Sequence, residues 1–149
     1  LESGTRRSRL RLLDRHWSTL LAQAWEDLCR QCLRGVDEAS QLGKLGPWGP
    51  AGRWWKGAEP EWDIVCESLD GESLLLGEAK WSRKPFDARA LDRALAALSS
   101  RPEPDLPPSF SKHRRVRALF VTSVEHRPRA TPGGPLVVTA DQLLAGPAA

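Results

Sequence analysis

The chain contains no methionine among its 149 residues, so it does not begin at its own start codon. We therefore expect an excised domain of a longer protein. No apolar run approaches the roughly 20 residues that a membrane span needs, and no secretory signal peptide is visible. These absences exclude an integral membrane protein and favour a cytoplasmic one. A chain of this length suffices for a single domain with a sizeable core, and we assign residues 1–149 to one domain.

Cysteine is also scarce. The chain has three cysteines, an odd number without a secretory signal, which favours a reducing compartment over a disulfide framework. Cys29 and Cys32 form a C-x-x-C pair, but they lie inside a helical pattern and no second pair completes a zinc site. We interpret them as small buried residues on a helix face. The net charge of +3 permits an anionic partner without requiring one.

Several motifs of common enzymes are missing. The sequence has no Walker A loop, Rossmann glycine fingerprint, metalloprotease helix motif or Gly-x-Ser-x-Gly elbow. What remains is an order of elements: helix, three strands, helix, strand, strand. Strands bracketed by helices predict an α/β fold, with one mixed central sheet flanked by helices.

The elements are predicted from apolar spacing and from glycine and proline positions. The predicted helices and strands are a helix over 11–34, a short strand over 53–55, strands over 61–67 and 73–81, a helix over 86–99, strands over 116–123 and 136–139, and a helical turn over 140–144. Residues 36–50 and the proline-rich segment 101–108 are predicted to be loops.

Asp70-Gly71, flanked by alternating apolar residues, predicts a β-hairpin. A turn there places Asp63 opposite Glu78 and Glu61 opposite Lys80. Because side chains alternate along a strand, Asp63, Glu78 and Lys80 are then expected on one face.

Two facing carboxylates destabilise a sheet unless a positive charge lies between them. A hard divalent cation such as Mg²⁺ would provide it, with Asp63, Glu78 and the backbone carbonyl of Ala79 as ligands. Lys80 would orient the attacking water or contact a phosphate. The alternative is a solvated hairpin face, on which Lys80 pairs with Glu78 or Glu61 and contributes about 0–1 kcal/mol.

At these residues the sequence resembles the PD-(D/E)XK nuclease superfamily, with Asp63 followed by Glu78-Ala79-Lys80 on adjoining strands. Trp62 stands where the proline of the motif would be. Three blocks, Gly52–Trp55, Glu61–Val65 and Leu76–Ser82, are more narrowly similar to the nuclease-like C-terminal domain, of unknown function, of archaeal-type P-loop ATPases. The resemblance covers roughly residues 17–123.

The resemblance implies a restriction-endonuclease-like αβββαβ core and hydrolysis of DNA with Mg²⁺ or Mn²⁺. It implies that Glu26, in a Trp-Glu pair on the first helix, adds an acid to the site. It also implies an ATPase domain in the same full-length chain as a partner. Arg89 and Arg93 occupy the second helix, where some superfamily members carry a Gln or Lys. A catalytically inactive module that binds nucleic acid or docks an ATPase is the competing interpretation.

Two further features bear on a nucleic-acid partner. The seven tryptophans are expected to be mostly core, except that one of Trp54 and Trp55 faces outward and could stack on a base. Arg6–Arg11 and Lys112–Arg117 are basic clusters. Each could contact phosphate, or could be a solvated surface or a contact to the rest of the protein.

Overall fold

A computed structural model describes residues 2–146, with side chains from residue 4 onward. Three helices and five strands form its framework, joined by short 3₁₀ turns. Their bounds are α1 Glu2–Cys32, β1 Trp48–Trp54, β2 Trp62–Ser68, β3 Ser73–Lys80, α2 Ala88–Ser100, β4 Arg114–Val121, β5 Leu136–Thr139 and α3 Ala140–Leu144.

The five strands form one mixed sheet in the order β1-β2-β3-β4-β5. β1, β2 and β3 are antiparallel neighbours, whereas β4 runs parallel to both β3 and β5. One apolar cluster lies where α1 packs on the sheet, and a second lies where α2 packs. The predicted α/β class, with a mixed sheet flanked by helices, is therefore confirmed.

The predicted hairpin register is confirmed over its whole ladder. The ladder runs from the pair of Glu67 with Leu74 to the pair of Ile64 with Gly77. The same register places Asp63 opposite Glu78, one residue beyond the pair of Ile64 with Gly77. The turn is longer than the two residues predicted, because Leu69 and Glu72 do not pair. Instead, the N–H of Gly71 donates to Ser68 O at 3.0 Å, and Gly71 has a φ of 73°, which favours glycine.

The first helix is longer than predicted, since it begins at Glu2 rather than Arg11. Its additional turns contain three arginines, and arginine is a strong helix former. Trp25, Cys29 and Leu33 follow one face and are buried against the sheet, which confirms the helix-face interpretation for Cys29. The expectation that Trp17 belongs to the core is wrong, because its side chain is 56% exposed.

The first strand also differs from the prediction. It spans Trp48–Trp54 instead of 53–55, and Pro50 lies within it. Proline in a strand argues against a central position, but β1 is the edge of the sheet, where a missing N–H donor is tolerated. Trp48 is buried, whereas Trp55 beyond the strand is 73% exposed, as expected for one of the Trp54-Trp55 pair.

The second helix begins at Ala88, two residues later than predicted. The side chain of Asp87 caps it by accepting a hydrogen bond from the N–H of Ala90 at 2.7 Å. β4 begins two residues earlier than predicted and ends at Val121, whereas the bounds of β5 and α3 match the prediction. Among the described residues, no helix is long and apolar enough to cross a membrane.

Candidate active site on the β2–β3 hairpin

Asp63 is held at the end of β2 by the neighbouring strand. Its Oδ2 accepts a hydrogen bond from the backbone N–H of Ala79 at 2.9 Å. This contact fixes the carboxylate beside the residues that carry the Glu-x-Lys motif. Among the described residues, nothing donates a hydrogen bond to the other oxygen, Oδ1, which leaves that atom for another ligand.

Burial raises the pKa of Asp63 above its ordinary value, and the charges of Glu78 and Glu61 raise it further. The N–H of Ala79 acts in the opposite direction, as does the charge of Arg101. An aspartate whose ionised form is disfavoured by a second acid is a group that a cation would stabilise.

Glu78 lies deeper than Asp63 and is 8% exposed. Its Oε1 forms ion pairs with two cations, Lys80 Nζ at 3.2 Å and an Arg101 guanidinium nitrogen at 2.9 Å. Its Oε2 is buried and has no hydrogen-bond partner among the described residues. Buried carboxylate oxygens are usually satisfied, so an unsatisfied one is an atom that water or an ion would fill.

Lys80 follows Glu78 by two residues on β3 and shares its face of the sheet, as predicted. The sequence left two possible partners for this lysine, Glu78 and Glu61. The structure has the ion pair with Glu78. Glu61 pairs instead with Arg53 on the neighbouring strand β1.

Glu26 is positioned by α1. Trp25, next to it, donates from its indole nitrogen to Phe120 O at 3.2 Å and anchors the helix to β4. Burial raises the pKa of Glu26, and the charge of Asp63 raises it further, which places the two carboxylates within each other's electrostatic reach.

Arg30 connects Glu26 to the hairpin. One guanidinium nitrogen donates to Asp63 O at 2.6 Å and lies 4.0 Å from Glu26 Oε2. The other donates to Asp27 at 2.6 Å. Arg30 thus joins α1 to the backbone of the residue that bears the first acid of the motif.

Sequence reasoning missed the two arginines of this site. Arg30 follows Glu26 by four residues, a spacing at which oppositely charged side chains meet on a helix, so that signal was available. Arg101 follows α2 directly and was assigned to a proline-rich loop. Arg89 and Arg93 are exposed on α2, and neither forms an ion pair in the described part of the chain.

The site offers hard oxygen donors that fit a divalent cation. Mg²⁺ is commonly held by one or two carboxylates and keeps several waters, which suits Asp63 Oδ1 and Glu78 Oε2. Within residues 2–146, however, no group of three His, Cys, Asp or Glu side chains lies close enough together to hold a metal ion. Glu26 therefore does not complete a three-carboxylate cluster with Asp63 and Glu78.

The site lies at the surface end of the sheet. A cavity of about 1630 Å³ lies elsewhere, beside β4 and β5, and none of Glu26, Asp63, Glu78 or Lys80 lines it. A smaller cleft of about 440 Å³ is lined by Arg53 of β1, the strand that adjoins β2, and by Trp55, which follows β1. Arg53 also pairs with Glu61, two residues before Asp63, which connects this cleft to the hairpin.

The fold is a mixed α/β fold with two acids and a lysine on the adjacent strands β2 and β3. The chain matches the DUF234 family, described as "Archaea bacterial proteins of unknown function", over residues 1–92. This match covers more than half of the chain, and the protein belongs to that family. No curated protein and no solved structure matches the chain.

Proposed function

We propose that this domain hydrolyses phosphodiester bonds of DNA with the help of Mg²⁺ or Mn²⁺. The observation that carries the proposal is the unsatisfied, buried Oε2 of Glu78 on the strand next to Asp63. In the PD-(D/E)XK superfamily, which the motif resembles, residues in these positions form a nuclease site.

Asp63 and Glu78 would hold the ion. When bound, it would supply positive charge to a phosphate oxygen and lower the pKa of a coordinated water. Lys80 is partly exposed beside Glu78 and would orient the attacking water or contact the phosphate. Glu26, with its raised pKa, would serve as an auxiliary acid near Asp63.

The proposal is tested by Mn²⁺ binding and by nicking of supercoiled plasmid. We expect one bound ion per chain, and a loss of nicking of at least about 100-fold in Asp63→Asn and Lys80→Ala. Lys84→Ala is the matched control, because Lys84 is exposed four residues further on and forms no ion pair with any described residue. Nicking that survives Asp63→Asn, or a protein that binds neither metal, would contradict the proposal.

A second candidate is a module that binds nucleic acid or docks an ATPase without cleavage. It is favoured by the two cations that already neutralise Glu78, since an acid paired in this way needs no metal. Salt-sensitive DNA binding that Asp63→Asn and Lys80→Ala leave unchanged, without nicking, would support it.

We also propose that the domain belongs to a longer chain with an ATPase domain and works in the cytoplasm. The three cysteines support a location in the reducing cytoplasm, because each is a free thiol in the described part of the chain. Sedimentation of the full-length protein with and without ATP would show whether the two domains interact.

A further inference from the structure

Four exposed apolar side chains lie along one side of α1. Leu10, Leu13, Trp17 and Leu20 are each more than half exposed. Their spacing of three, four and three residues is the heptad spacing that brings side chains into one stripe along a helix. We call these four residues the stripe.

The stripe is not an extension of the helix face that forms the core. At 3.6 residues per turn, it lies about 140° around the helix from Trp25, Cys29 and Leu33, which pack on the sheet. The stripe is exposed along its length, although Arg83 of the domain body lies 3.9 Å from Asp14, which flanks it.

We propose that the stripe is the interface with a second copy of this chain, formed by antiparallel pairing of the two α1 helices. The spacing is self-complementary when a two-fold axis passes beside residue 15. That register places Leu10 opposite Leu20 of the second copy and Leu13 opposite Trp17, so all four side chains meet an apolar partner. An interface of this kind uses the same patch on both copies.

Charge favours the antiparallel arrangement over the parallel one. Parallel pairing would align the arginines of residues 6–11 with each other. Antiparallel pairing sets them beside residues 19–24 of the second copy, which carry no charge. Arg6 then comes within one turn of the second copy's exposed Asp27. Asp14 approaches its counterpart near the axis, and each Asp14 lies 3.9 Å from Arg83 of its own copy, which reduces the repulsion.

With four exposed apolar side chains from each copy, we expect a reversible dimer. The largest apolar patch on a typical monomer is about 300–600 Å², and two such patches bury roughly 600–1,200 Å². Interfaces of that size belong to transient complexes rather than to obligate ones, so the dimer fraction should rise with protein concentration.

Sedimentation velocity over a concentration series tests the interface. We expect the wild type to pass from monomer to dimer, and Leu13→Asp to raise the dissociation constant at least about tenfold. Leu12→Asp is the matched control, because Leu12 is also 55% exposed but lies on another face of the same helix. A wild type that stays monomeric, or equal effects of the two variants, would overturn the proposal.

Cysteine cross-linking tests the orientation in a Cys32→Ser background. Leu10→Cys combined with Leu20→Cys should form disulfides between copies. Leu10→Cys alone should not, since its two copies would lie about 15 Å apart along the pair, beyond disulfide reach. Efficient cross-linking of Leu10→Cys alone would indicate parallel pairing and overturn the register. Monomeric protein that co-sediments with phosphatidylglycerol vesicles would assign the stripe to an anionic membrane surface instead.

Discussion

Asp63 and Ala79 are joined across two strands by a 2.9 Å hydrogen bond, in which the backbone N–H of Ala79 donates to the Asp63 carboxylate. The contact lies beyond the last pair of the β2–β3 ladder, Ile64 with Gly77. A side chain thus extends the strand pairing, and in doing so it holds an acid next to Glu78.

The first prediction concerns pH. The pKa of Asp63 is raised in the folded state by burial and then by the charges of Glu78 and Glu61, although the Ala79 N–H opposes the shift. A raised carboxyl pKa contributes stability below the unfolded-state pKa, and that contribution is lost as pH rises through the folded-state value. We therefore expect the free energy of unfolding of Asp63→Asn to increase relative to that of the wild type as pH rises. Near neutral pH the variant should be more stable by about 1 kcal/mol.

Urea unfolding between pH 3 and pH 7 measures this difference. Asp92→Asn, on the exposed part of α2, is the control for the loss of one carboxylate. A stability difference for Asp63→Asn that does not change with pH would contradict the electrostatic account.

The hairpin illustrates what sequence alone predicts. The Asp70-Gly71 signal and the alternation of apolar residues are local, and they were enough to give the register that sets Asp63 beside Glu78. The proline in β1 misled the prediction, because an edge strand tolerates proline and no local signal shows which strand is an edge. Arg101 was missed for a similar reason, since its contact with Glu78 is long-range and carries no periodicity.

The ion pair between Arg101 and Glu78 gives the second prediction. Both side chains are largely buried, at 19% and 11% exposed, and the nitrogen–oxygen distance is 2.9 Å. Removing one partner leaves a buried charge with less compensation, so Arg101→Met should lower the free energy of unfolding by about 2 kcal/mol.

Urea unfolding with the double variant Arg101→Met/Glu78→Gln separates the pair from simple loss of packing. We expect the double variant to recover part of the loss, because it removes the uncompensated charge. Arg89→Met, on the exposed face of α2, should change stability by less than about 0.5 kcal/mol. A loss in Arg89→Met as large as that in Arg101→Met would mean that the effect arises from the helix rather than from Glu78.

Gly77 carries the third prediction, because the strands and side chains around it are closely packed. A Cβ atom at this position would lie 2.9 Å from Phe120 Cε2 and 3.1 Å from Ile64 Cβ. Neither neighbour can move freely in the core, so Gly77→Ala should cost about 1–3 kcal/mol. Since Gly77 precedes Glu78, the same change should also reduce any nicking activity.

Gly52→Ala provides the comparison within the same sheet. Gly52 lies in β1 and has no atom within 4 Å of the position a Cβ would take. Its replacement should leave thermal stability unchanged or raise it slightly. Equal destabilisation of the two variants would indicate that the strand backbone, rather than the contact with Phe120, sets the cost.

The fourth prediction concerns Trp55, which is 73% exposed and lines a cleft with Arg53 near the hairpin. Under the proposed function, this side chain is the one best placed to stack on a base of single-stranded DNA. Stacking contributes about 1–3 kcal/mol per base, so Trp55→Ala should weaken binding of an oligonucleotide by about 5- to 150-fold. Trp55→Phe should retain most of the affinity, because an aromatic face remains.

Leu69→Ala, which alters another exposed apolar side chain, should have no effect in the same fluorescence anisotropy titration. Equal affinities of wild type and Trp55→Ala would mean that DNA does not bind in this cleft. The DNA would then have to approach Asp63 and Glu78 from another direction.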